Sequence, residues 1–164
     1  SKGAPYRHFP TSEALIAAVA ARGFRMLAER LGGAGKLTVG RGESSLAEGS
    51  AIVRLEQLGI SYVRFASEHP QLYRGMFFFP RDSLGRYPEL ADAAGRAYRT
   101  LEEAVGDLHR ERGARELPTG EATLAAWGYV HGIADLVVNR LIRSNHGMDE
   151  QLIERLSTAL TRGL

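Results

Sequence analysis

Leu124-Ala125-Ala126-Trp127-Gly128-Tyr129-Val130-His131-Gly132-Ile133-Ala134-Asp135-Leu136-Val137-Val138 is a strongly apolar block, interrupted by His131 and Asp135. It lies in a proline-free stretch, residues 119–143, that predicts one long helix. Thr119, after Pro118, suits its N-cap, and Glu121 suits the positive end of the helix dipole. One set of apolar positions is Leu124, Trp127, His131, Leu136 and Val138; a second is Ala126, Val130, Ile133, Val137 and Leu141. Apolar residues all round predict burial on more than one side, as in the core of a bundle or half of a subunit interface. Gly128 and Gly132, four apart, form a smooth face that a second helix can approach closely.

Outward from that block, the chain reads as an all-α protein. Its 164 residues are enough for one domain, or one domain with a small appendage. With no cysteine, disulfides, thiolate nucleophiles and cysteine metal sites are excluded. No apolar run is long enough to cross a membrane and no signal-peptide pattern opens the chain, so a cytoplasmic location is expected. Residues 1–30 hold Lys2, Arg7, Arg22, Arg25 and Arg30 against Glu13 and Glu29, whereas the remainder is slightly acidic. That bias points to a polyanion near the N-terminal end.

A short helix is predicted over residues 1–9, ended by Pro10, with Thr11 capping the next. Eight or so residues do not hold a helix alone in water, so it needs a partner to pack on, and the chain is expected to begin inside a larger motif. Residues 12–31 carry Leu15, Ile16, Val19, Ala20, Phe24, Leu27 and Leu31 at helical spacing, and Gly32-Gly33 is expected to end that helix. Residues 32–49 are glycine-rich and read as a loop. Leu55, Leu58, Tyr62, Phe65 and Ala66 define one face of a helix ending near His69, and Pro70 opens a short one. After a loop at 80–87, Pro88 starts a helix striped by Leu90, Ala94, Ala97, Tyr98, Leu101, Val105 and Leu108. A last helix from about residue 148 has Leu152, Leu156, Ala159 and Leu160 on one side. No useful β-alternation occurs.

Ser1-Lys2-Gly3-Ala4-Pro5-Tyr6-Arg7-His8-Phe9-Pro10 with Glu13-Ala14-Leu15 resembles the end of the helix-turn-helix of the tetracycline-repressor (TetR) family. Tyr62 to Phe77, and Trp127-Gly128 with Val130-His131-Gly132, resemble the regulatory domain of one branch of that family, which carries a Trp-His-Gly signature. The resemblance implies a remnant of a DNA-binding domain in residues 1–31 and a ligand-binding and dimerisation domain in residues 50–164. Ser1, Lys2, Gly3, Pro5, Tyr6 and His8 would then meet operator DNA, with Lys2 and Pro5 toward base edges and Tyr6 and His8 on phosphates. Ser12 stands where the family usually has a phosphate-contacting lysine, which removes one backbone contact. The resemblance also implies a homodimer in which the last two helices of each subunit form a four-helix bundle, bringing in Gly128, Gly132, Leu152 and Leu156.

For a small, largely apolar effector, Tyr62, Phe65, Phe77, Tyr98, Trp127 and His131 are the candidate pocket residues, because they put aromatic surface and a few polar tips on converging helices. The same aromatics also serve as plain core. His131 and Asp135, four apart on one face, hydrogen-bond each other or meet a ligand. A metal would need a third ligand that the sequence does not mark, and no nucleophile accompanies the pair. No catalytic residue, cofactor or metal is therefore expected, and the protein reads as a ligand-released DNA-binding repressor. A helical carrier or adaptor that never touches DNA fits residues 50–164 as well.

Overall fold

The computed structural model describes residues 9–36, 50–113 and 117–142, with Arg155 and Ala159 besides. Among them the secondary structure is helical, without a strand. The helices are α1 (Ser12–Lys36), α2 (Ser50–Glu68), α3 (Pro70–Met76), α4 (Pro88–Arg112) and α5 (Thr119–Val138), with a 3₁₀ turn at Arg81–Arg86. Residues 1–8, with the whole set Ser1, Lys2, Gly3, Pro5, Tyr6 and His8, lie outside the described residues. So do Leu152 and Leu156.

Local chemistry accounts for the helix ends. Thr11 caps α1 as its residue type predicts, its Oγ1 accepting from the Ala14 N–H at 3.1 Å. The helix does not stop at Gly32-Gly33 but runs on to Lys36. Each glycine costs about 1 kcal/mol of helix propensity, and burial of Leu31 and Ala34 on the inner face offsets it. Residues 81–86 of the expected loop wind into the 3₁₀ turn, closed by the Tyr87 N–H on the Leu84 carbonyl. α4 starts on Pro88 and ends at Gly113, whose φ of 71° is left-handed backbone that glycine adopts freely.

The ends of α5 differ from the expectation. Thr119 is the first helical residue rather than the cap, and its hydroxyl lies 3.2 Å from Nδ1 of His109 on α4. The helix finishes at Val138, five residues short of the expected end. There the Arg140 N–H bonds to the Val137 carbonyl (3.0 Å) and the Leu141 N–H to the Leu136 carbonyl (2.8 Å). Those two bonds are a Schellman terminus, with Arg140 at φ 56° in the position usually taken by glycine.

The core is built from one face of each long helix. α4 packs mainly on α1, α5 on α2, and α3 crosses α1. Leu55, Leu58, Tyr62, Phe65 and Ala66 of α2 are all buried, as their spacing predicts. At Gly23 of α1 an added Cβ would lie 2.6 Å from Cγ of Met76, so the absent side chain lets α3 sit directly on α1. Two stripes are less buried than their apolar character suggests. On α1 the buried side passes through Ala17, Ala20 and Ala21, leaving Ile16 and Val19 exposed. On α5, Ala122, Ala126, Val130 and Ala134 are buried, but Leu124 and Leu136 stand 57% and 43% exposed in the single chain. α5 is thus apolar all round yet covered on one side. Bidentate pairing of Arg30 with Glu68 (Nη2 to Oε1, 2.9 Å) ties α1 to the end of α2, and the Arg30 guanidinium holds the Glu68 carboxyl below its usual range.

Candidate functional site: an aromatic cavity among the helices

A cavity of about 480 Å³ lies among the helices, within the size range of small-molecule sites. Phe24, Leu27 and Leu31 of α1 form one wall, and Leu55, Leu58, Gly59 and Tyr62 of α2 another. α4 contributes Ala94, Ala97, Tyr98 and Leu101 among others, and α5 contributes Leu124, Trp127 and Val130. Met76, Phe77, Phe79 and Leu84 complete the lining. Helical periodicity explains the α4 wall. Leu90, Val105 and Leu108 are fully buried and off the lining, while Ala94, Tyr98 and Leu101 on the same stripe border the cavity and are only partly buried.

Four of the six candidate pocket residues come together on the lining: Tyr62, Phe77, Tyr98 and Trp127. Tyr98 and Phe77 meet Trp127 at centroid distances of 6.1 and 6.5 Å. Phe65 is not on the lining. It is fully buried and packs edge-on against His69, 5.1 Å away. His131 stands one layer behind the wall, half-buried, with its ring 4.5 Å from Phe77 and 5.6 Å from Trp127. Asp135 is exposed, and its charge acts on His131 only at a distance. Gly128 and Gly132 are exposed, and a Cβ at either would meet nothing within 4 Å. Among the described residues no group of three or more His, Asp or Glu side chains is placed to hold a metal ion.

A polar cluster of two phenols and an imidazole stands against the cavity wall, with Tyr62 as its member on the lining. His131 Nδ1 lies 2.9 Å from the Tyr62 hydroxyl and 2.8 Å from the Tyr73 hydroxyl. A neutral ring offers one lone pair or one N–H at that nitrogen, so it cannot serve both phenols as acceptor. The His131 carbonyl, 3.4 Å from the Tyr73 oxygen, gives the second phenol another acceptor. Burial pushes the Tyr62 hydroxyl up to about 12, with Trp127 and Tyr73 hydrogen bonds holding it down slightly. Burial likewise raises Tyr73, and it lowers His131 against the weaker pull of Asp135. All three groups are therefore uncharged at neutral pH. Among the described residues no buried side-chain polar atom lacks a partner.

Tyr73, which stands behind the lining, and the α1 wall are parts of the candidate site that sequence reasoning did not single out. Tyr73 stands four residues before Phe77, at helical spacing, and the two rings do meet at 5.2 Å. Phe24, Leu27 and Leu31 carried only the signal of an ordinary core stripe.

Residues 55–160 match the family profile described as "Tetracyclin repressor-like, C-terminal domain". The chain belongs to the TetR family. The matched segment holds the α2, α4 and α5 walls of the cavity, so the TetR regulatory domain includes most of the site described above. A solved structure of a protein with unknown function from Rhodococcus sp. RHA1 is similar to this TetR-family chain, with a TM-score of 0.76 and 24% identity. The likeness covers 99% of this chain and 80% of that one, and at such identity it concerns the fold. No curated protein matches the chain. No helix among the described residues is long and apolar enough to cross a membrane.

Proposed function

We propose that this TetR-family protein is a cytoplasmic one-component transcriptional regulator, a repressor that leaves its operator when a small, largely apolar molecule fills the cavity. One observation carries the reading. The cavity is lined on one side by Phe24, Leu27 and Leu31 of α1, the helix that would connect it to a DNA-reading unit. A ligand seated there touches that helix directly, and so can favour one of its positions over another. Phe77 reinforces the link, since it lines the cavity and meets Phe24 edge-on at 5.4 Å. Ile16 and Val19, exposed at the amino end of α1, suit packing against such a unit.

The protein then acts as a homodimer through the exposed side of α5 that carries Gly128, Gly132 and Leu136, with Leu152 and Leu156, which lie outside the described residues, as the further interface candidates of the sequence. Two recognition helices then meet successive major grooves about 34 Å apart, and occupancy of the cavity spoils that spacing. No step requires a cofactor, a metal or a catalytic residue.

The test is titration of the complete gene product onto labelled duplex from upstream of its own gene, with scrambled duplex as competitor. Saturable, sequence-selective binding is expected, weakening on the order of a thousandfold between about 50 and 200 mM salt if some six phosphates are contacted. Absent or salt-insensitive binding would leave the carrier reading instead.

A further inference from the structure

Among the described residues twenty line the cavity, and none of these is Asp, Glu, Lys, Arg or His. Nor do the described lining residues include an Asn, Gln, Ser or Thr. The side-chain nitrogen and oxygen atoms of these twenty residues are the hydroxyls of Tyr62 and Tyr98 and the indole N–H of Trp127. Tyr62 is already engaged by His131, and Trp127 leans on Tyr62. The Tyr98 hydroxyl has no hydrogen bond among the described residues, although its ring is fixed edge-on to Trp127.

From this we infer that the effector is an uncharged, mainly apolar molecule whose single hydrogen-bonding group is received by Tyr98. The inference rests on the cavity being the effector site, and it narrows the ligand by charge. A carboxylate or an ammonium ion in this space would lose its hydration without gaining a counter-charge, whereas a hydroxyl or carbonyl needs just one partner. His131 cannot rescue an anion, because it is screened by Phe77 and Trp127 and burial favours its neutral form.

Three probes of one skeleton separate the possibilities: decan-1-ol, decanoate and decylammonium, each kept below its aggregation threshold at neutral pH. Trp127 is the sole tryptophan and lies on the lining, so its emission reports occupancy without a label. Decan-1-ol should shift that emission saturably and bind at least tenfold more tightly than either ion. Replacing Tyr98 with Phe should weaken decan-1-ol about three- to tenfold, the worth of one hydrogen bond, and leave n-butylbenzene unchanged. Decanoate or decylammonium binding as tightly as the alcohol would overturn the charge assignment while leaving the cavity as a binding site. Indifference of the alcohol to Tyr98→Phe would overturn the place given to its polar group. If none of the probes moves Trp127 emission, both the ligand class and the cavity's role as effector site fall.

Discussion

His131 shows how one residue type takes its role from what surrounds it. Its sequence position beside Asp135 suggests a polar pair, but the ring instead turns to the Tyr62 and Tyr73 hydroxyls while Asp135 faces solvent. Burial lowers its proton affinity below the ordinary value of about 6.5. Between that ordinary value and the lower folded one, the unfolded chain binds a proton that the folded chain does not. The stabilisation is therefore complete above the ordinary pKa and is lost as pH falls through it. His131→Gln keeps a hydrogen-bonding group but cannot titrate. We expect the melting temperature of the wild type, relative to this variant, to drop between pH ~7.5 and pH ~5. A difference that stays flat or grows in acid would mean that the ring is not held neutral by the fold.

At the scale of the element, α5 joins the two halves of the account. Its inner side supplies Trp127 and Val130 to the cavity, Leu124 borders the cavity while 57% exposed, and the outer side leaves Gly128, Gly132 and Leu136 open. A Cβ at Gly132 meets nothing within 4 Å, so Gly132→Leu should fold normally as a single chain. In a dimer packed through this side, the bulk would hold the helices apart. Sedimentation at micromolar concentration should give a dimer for the wild type and mostly monomer for the variant. A monomeric wild type, or a variant that stays dimeric, would remove this surface from the interface. Much of the fold was legible in the sequence because 3.6-residue periodicity and proline positions mark helices directly, as at Pro70 and Pro88. The termination of α5 was not legible, since its Schellman turn uses Arg140 instead of glycine. The persistence of α1 past Gly32-Gly33 was hidden too, because it depends on burial of Ala34, a tertiary effect. In the site, aromatic type pointed to Tyr62, Phe77, Tyr98 and Trp127. The same criterion could not separate Phe65, which packs in the core, from residues that border empty space.

Over the whole molecule, the cavity and α1 are linked by direct packing. Met76 and Phe77 border the cavity and also press on α1, against Gly23 and Phe24, so that filling the space and moving α1 are mechanically connected. Arg30 and Glu68 hold the other end of α1 to α2. In a ligand-released repressor, occupancy of the cavity and binding of DNA oppose each other. Linkage requires that if a ligand weakens DNA binding by some factor, DNA must weaken ligand binding by the same factor. The most direct test is a Trp127-emission titration of the complete gene product with decan-1-ol, free and saturated with its operator duplex. Affinity should be about fivefold or more weaker in the DNA complex, a typical allosteric coupling. Equal affinity in the two states would contradict it.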